Sequence, residues 1–274
     1  MLEARHLFFR YPPVIQDAQP FQLEDISLSL CKGEAVGIMG PGGSGKSTLL
    51  QILAGLEKPD QGQVLINGKD IFASPGSFTI PLPVGLVFQF PELQLFEPTV
   101  AEDVSFGLRN AGITGAELET RVREALELVE LSPARYLQRS IYHLSQGEKR
   151  RVAMAGVLAL DPQFLLLDEP TAGLDAAGRA HLVALIRQWV ETKSRGLLIA
   201  SHDIDFLAEV VDKIMVLDQG KLLFHGLFEE VQNLPAHIPR PRAMRLALKL
   251  QSLGLRLTPL PVSSSALLKR LQQS

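Results

Sequence analysis

Apolar residues along the chain change their period twice. In "FQLEDISLSL" (21–30) they occupy every second position, the pattern of a half-buried strand. "EAVGIMG" (34–40) is a compact apolar run ending in glycine, a buried strand leading into a glycine-rich loop. "STLLQILAGL" (47–56) has the length and leucine content of a helix. "GQVLINGKDI" (62–71) sets an Asn-Gly pair between apolar residues and predicts a hairpin. "VGLVFQF" (84–90) is another buried strand. From about 91 to 156 the spacing becomes three and four, as in "ELETRVREALELVEL" (117–131), and predicts a helical insert. Strands return in "FLLLDEP" (164–170), "GLLIASH" (196–202) and "KIMVLDQGKLLFHG" (213–226), with a helix around "HLVALIRQWVETKS" between the first two. Buried strands alternating with helices define an α/β class with a sheet covered on both faces. The tail is punctuated by Pro235, Pro239, Pro241, Pro259 and Pro261, and "RAMRLALKLQSLG" between them reads as an amphipathic helix ended by glycine. No internal repeat is visible.

Composition adds limits. The 274 residues are 46% hydrophobic and 21% charged, as in a well-buried globular protein. A net charge of −3 gives no reason to expect nucleic-acid binding. The charge is uneven, because residues 231–274 carry seven bases and no acid, leaving −10 on the rest. Such a tail suits an anionic membrane face or an acidic partner, and equally a solvated helix face. Cys31 is the one cysteine, which excludes an internal disulfide and fits a reducing compartment. It reads as a small strand residue. "MLEARHLFFRYPP" has charges before and within its apolar patch, so a signal peptide is not expected. No apolar run reaches the roughly 18 residues needed to span a bilayer, so any membrane role is expected to be peripheral.

Candidate chemistry begins at "GPGGSGKST", residues 40–48, which fits G-x-x-x-x-G-K-[ST] between a buried strand and a helix. Backbone N–H groups of Gly40, Gly42, Gly43, Ser44 and Gly45, with the helix N-terminus, are expected to form a phosphate cradle; Pro41 belongs to the loop but has no N–H to donate. Lys46 is expected to bridge the β- and γ-phosphates, Ser47 to ligate Mg2+, and Thr48 to donate to the α-phosphate. "FLLLDEP" ends a buried strand in adjacent acids. Asp168 is expected to hold Mg2+, and Glu169 to orient and polarise an attacking water. His202 in "SHD" ends the next strand and is a candidate contact to the γ-phosphate and the water.

These residues, in this order, resemble the ABC-type ATPase subunits, over about residues 2–226. The resemblance rests on "GPGGSGKST", "VFQF", "LSQGEKRRVA", "FLLLDEP", "AGLD" and "SH". It implies an ABC-type P-loop ATPase fold with a mixed central sheet, an antiparallel β subdomain, a helical subdomain (about 91–156) and a C-terminal extension (231–274). It also implies that two subunits pack head to tail with ATP between them. The "LSQGE" loop would then act in trans, Ser145 and Gly147 holding the partner subunit's γ-phosphate. The family's usual loop reads LSGGQ, so Gln146 and Glu148 are departures. By the same resemblance Tyr11 is the aromatic that stacks on adenine. Gln89 reaches Mg2+ and the water and senses the transport partner. Asp175 couples the two sites.

"VFQFPELQLFEPTVAEDVSFGLRNAG" (87–112) and "RRVAMAGVLALDPQFLLLDEPTAGLDAAGR" (150–179) resemble the energy-coupling factor (ECF) group, within it one of the two paired ATPases of shared modules. The segment at 72–85 departs, lacking the basic helix common there. The resemblance implies ATP and Mg2+ as cofactors. Its implied partners are a second ATPase, favoured as a paralogue over a second copy, a membrane-embedded coupling protein and a substrate-capturing membrane protein. It implies a place on the cytoplasmic face of the cell membrane, cargo among vitamins and transition-metal ions, and a tail that supports dimer contacts. Phe90, Leu93, Leu95 and Phe96 read either as a docking groove or as an internal helix core. Two other functions fit the sequence less well. A non-transport ABC ATPase usually has two cassettes or a long coiled-coil insert, which this chain lacks; a non-hydrolysing switch is opposed by Glu169 and His202.

Overall fold

The computed structural model describes residues 1–12, 22–73, 82–235, 237–255 and 257–272. Residues 74–81 of the 72–85 segment and Arg256 of the basic tail therefore lie outside the described residues. The chain opens with strands β1 (Leu2–Arg10), β2 (Gln22–Leu30) and β3 (Ala35–Met39), then helix α1 (Lys46–Leu53), β4 (Gln61–Ile66), β5 (Lys69–Asp70) and β6 (Val84–Val87). Helices α2 (Val100–Asn110), α3 (Gly115–Leu128), α4 (Pro133–Tyr136) and α5 (Gln146–Ala159) follow. Then come β7 (Phe164–Asp168), α6 (Ala176–Lys193), β8 (Gly196–Ala200), α7 (Ile204–Val210), β9 (Lys213–Asp218) and β10 (Lys221–Leu227). The tail supplies α8 (Arg242–Ser252) and α9 (Ser264–Leu271).

The described residues form two sheets. One is antiparallel, in the order β2-β1-β4-β5; the other is mixed, in the order β10-β9-β3-β8-β7-β6, with only the β9–β10 pairing antiparallel. The continuous apolar runs of β3, β7 and β8 follow from burial on both faces. Phe164 and Leu166 join one core with α1 and the antiparallel sheet; Leu165 and Leu167 join the other, with α5, α6 and α7. Leu198 and Ala200 against Leu197 and Ile199 divide the same way, as the period of two in a strand requires.

β1 gives no clean alternation in the sequence, and the reason is local. Its pairing with β2 shifts register twice, and His6 and Asp25 take positive φ of 49° and 52°. Cys31 corrects the sequence reading: it lies just beyond β2, exposed, in the turn that leads to β3. Its N–H donates to the Glu34 carboxylate at 2.8 Å, so the backbone leaves the ladder there. Phe90, Leu93 and Phe96 are exposed, whereas Leu95 packs against the helical core, so the two readings of this segment divide among its residues. α8 and α9 close a small core of their own around Met244, Ala247 and Leu267.

Candidate nucleotide site

β8 lies between β3 and β7, so the carboxyl ends of all three strands share one edge of the mixed sheet. Cross-links hold the loops that leave them. Ser201 N–H donates to the Ile38 carbonyl at 3.0 Å, and Glu169 N–H to the Ala200 carbonyl at 2.8 Å. This is the edge where open α/β sheets gather ligands.

The loop after β3 turns through Gly43 and Gly45, with φ of 76° and 108°. Gly40 has no room for a side chain, because a Cβ there would lie 2.1 Å from the Leu217 carbonyl oxygen. Ser44 closes the loop, donating from its N–H to the Pro41 carbonyl at 3.2 Å. Lys46, at the start of α1, is buried, and its ammonium donates to the carbonyls of Gly40 at 2.8 Å and Pro41 at 3.1 Å. Ser47 is exposed on the first turn and Thr48 is buried. Pro41 and Gly42 are exposed at the rim.

Asp168 is buried at the end of β7, and burial raises its pKa, opposed by a hydrogen bond from the Ser47 side chain. Its Oδ1 is buried without a hydrogen-bond partner. An orphaned carboxylate oxygen beside a serine hydroxyl is a hard-oxygen set that fits Mg2+. Glu169 follows at φ 44°, and its carboxylate turns toward β8. It accepts from the His202 N–H at 3.0 Å, from His202 Nδ1 at 2.8 Å and from the Ser201 hydroxyl at 3.2 Å. The carboxylate can only accept from the ring in this pair, which assigns the Nδ1 proton to His202 and leaves Nε2 facing outward on an exposed side chain.

Tyr11 reaches this side of the molecule from the end of β1. Its hydroxyl donates to Gln51 of α1 at 3.2 Å, and its ring meets Phe9 edge to face at 4.8 Å. Gln89 is half-buried beyond β6.

Ser145 and Gly147 stand apart. Among the described residues, no hydrogen bond joins either to the 40–48 loop. Ser145 caps α5 through a reciprocal pair, its N–H donating to Glu148 Oε2 at 2.7 Å and its hydroxyl accepting from the Glu148 N–H at 3.3 Å. Glu148 also accepts from the Tyr136 hydroxyl at 2.6 Å and from Arg139 at 3.0 Å. The Tyr136 bond leads the donors that pull its pKa down to about 2. Gln146 donates to Glu92 at 3.1 Å. Both departures from the usual loop therefore have partners inside the chain. Gly147 has none to satisfy: a Cβ there would meet nothing within 4 Å. It lines one cleft of about 940 Å³ together with Asp175, which caps α6 by accepting from the Gly178 N–H at 2.7 Å.

Sequence reasoning missed Arg150. It lies on α5 and donates to the carbonyls of Ala172, of Gln89 at 3.0 Å and of Glu169 at 3.5 Å. Its neighbour Arg151 has the same chemistry, so no signal in the sequence separates them.

A phosphate loop, a paired acid and a strand-end histidine on one sheet edge define a nucleotide-hydrolysing cassette. Residues 23–172 match the family model of the ABC transporter, and the chain belongs to that family. It is an ATPase whose hydrolysis drives transport. Among its relatives, the energy-coupling factor transporter ATP-binding protein EcfA2 of Symbiobacterium thermophilum is 44% identical over 255 residues, covering 90% of this chain and 88% of its own. A putative ABC transporter ATP-binding protein of Gloeobacter violaceus is 47% identical, over 76% of this chain and 84% of its own. The solved cbiO1 of Clostridium perfringens, part of the ABC transporter complex cbiONQ, superposes with a TM-score of 0.74 at 33% identity, covering 92% and 96% of the two chains. A dimeric ATP-binding cassette in a post-hydrolysis state with ADP and Pi gives a TM-score of 0.74 at 29% identity, covering 83% and 98%.

Proposed function

We propose that the chain is an ATP-hydrolysing subunit of an ECF-type importer, taking up a vitamin or a transition-metal ion through membrane partners. The observation that carries this reading is the reach of the likeness, since the relative named EcfA2 aligns over 90% of the chain. The partners are a second ATPase, a paralogue in preference to a second copy, a membrane-embedded coupling protein and a substrate-capturing membrane protein. Among the described residues no helix is long and apolar enough to cross a membrane, which accords with peripheral attachment at the cytoplasmic face. Phe90, Leu93 and Phe96, exposed beside Gln89, suit a docking surface for the coupling protein. Nucleic acid has no role in this scheme.

In the mechanism, the N–H groups of the 40–48 loop and the N-terminus of α1 bind the phosphates of ATP. Lys46 exchanges its loop carbonyls for β- and γ-phosphate oxygens, and Thr48 donates to the α-phosphate. Tyr11 stacks on adenine. Ser47 and Asp168 would hold Mg2+, with Gln89 completing the set and sensing the transport partner. When bound by these residues, Mg2+ would supply positive charge against the phosphates. Glu169 orients the attacking water and accepts its proton as the new P–O bond forms and the bond to the bridging oxygen breaks. His202 and Ser201 fix the plane of that carboxylate, and the exposed His202 ring contacts the γ-phosphate. Ser145 and Gly147 with the start of α5 hold the γ-phosphate of the partner subunit's ATP. The open surroundings of Gly147 support this, because among the described residues a Cβ there would meet nothing within 4 Å. Asp175 couples the two sites across the dimer.

The test is purification of the chain from native membranes with mass spectrometry of what accompanies it. A polytopic coupling protein with a second ATPase is the expected result. Recovery alone, or with ribosomal or repair proteins, overturns the importer reading and leaves the ATPase intact. Glu169→Gln is expected to bind ATP normally, lose turnover and trap a dimer; parent-rate hydrolysis by that variant overturns the assigned chemistry.

A further inference from the structure

We propose that Arg150 is a positioning residue that couples the two half-sites carried by one chain. Ser145 caps α5, and Gln146 and Arg150 lie four apart on one face of it. Gln146 holds Glu92, just past Gln89, while Arg150 holds the Gln89 carbonyl itself. The nitrogen that meets Gln89 also donates to the Glu169 carbonyl, and the other arm of the guanidinium donates to the carbonyl of Ala172, on the loop that leads to Asp175. One half-buried side chain thus ties α5 to the backbone on either side of the reacting centre. Its acceptors here are carbonyls, so the link reads backbone position rather than charge. Glu92 adds an electrostatic attraction to Arg150. A planar fork can hold two loops at once, whereas a lysine ammonium, a point charge, cannot reproduce that spread. A displacement of α5 therefore moves the loops of Gln89 and Glu169 together. This rests on the reading that Ser145 and Gly147 grip the partner subunit's ATP. Given that grip, ATP at one site sets the geometry of the catalytic glutamate at the other.

The experiment compares parent, Arg150→Lys, Arg150→Ala and Ser145→Arg in the membrane complex isolated with the chain. It measures kcat and KM for MgATP, binding of a fluorescent ATP analogue, and hydrogen exchange. Arg150→Lys is expected to lower kcat at least about tenfold while KM and analogue affinity stay within about twofold. Exchange is expected to quicken together in 87–95 and 169–175, with 40–48 unchanged. Arg150→Ala should do the same more strongly; if it fails to fold, the lysine variant decides. Parent kcat in Arg150→Lys, a matched loss of ATP affinity, or loosening of only one loop overturns the coupling role. Ser145→Arg separates the two ideas. If it leaves turnover intact, the half-site reading falls and the coupling with it. If it abolishes turnover while Arg150→Lys behaves as parent, the coupling role alone falls.

Discussion

Replacing Glu148 with glutamine takes the charge from a carboxylate on which Tyr136, Arg139 and the Ser145 N–H converge. The side chain is 16% exposed, so solvent screens these bonds only in part. They hold its pKa near 2 against an ordinary 4.5, a gap equivalent to roughly 3 kcal/mol. Glutamine stands in for the protonated acid, keeping one acceptor oxygen. The expected loss at pH 7 is therefore about 2–3 kcal/mol, or about 5–10 °C in Tm for a chain of this size. The sign of the pH dependence follows from the depressed pKa. The carboxylate's contribution is complete above 4.5 and is lost as pH falls toward 2. Between pH 7 and 4 the gap between parent and variant should narrow by about 1 kcal/mol, and by pH 3 by about 2 kcal/mol. Trp189, the one tryptophan and 2% exposed on α6, provides the unfolding signal in urea or heat. Tyr136→Phe should recover part of the same loss. A gap below about 0.5 kcal/mol at pH 7, or one that widens on acidification, refutes the reasoning.

Four further outcomes are expected. Lys46→Ala should weaken ATP binding at least about a hundredfold in equilibrium titration, since no other side chain of the loop carries a positive charge. Gly40→Ala should destabilise by at least about 2 kcal/mol in denaturant melts, as its Cβ would press on Leu217 and Ser44. Gly147→Ala should leave the melt within about 0.5 kcal/mol of parent, because a Cβ there would meet nothing within 4 Å, yet lower turnover by the role proposed for it at the partner subunit's ATP. Phe164→Ala should cost about 3–5 kcal/mol by the same melts, its ring being fully buried between β7 and α1.

The sequence by itself determined the inner strands of the mixed sheet, because β3, β7 and β8 are buried on both faces and so read as compact apolar runs. It also determined the phosphate loop, whose glycines, lysine and hydroxyls act within nine consecutive residues. The adjacent acids Asp168 and Glu169 were legible for the same reason: their chemistry is local. β1 was not, because two register shifts break the alternation that marks a strand. The turn at Cys31 was not either, since a short apolar residue after an alternating run looks like one more strand position. Gln146 and Glu148 read as departures from a known loop, and only the fold supplies their partners, Glu92, Tyr136 and Arg139, from other turns of the chain. Arg150 depended wholly on the fold. Its partners are backbone carbonyls 61, 22 and 19 residues away, and a carbonyl is common to every residue, so no pattern of side chains records such a bond. Only the packing of α5 against the loops after β6 and β7 decides which arginine makes it.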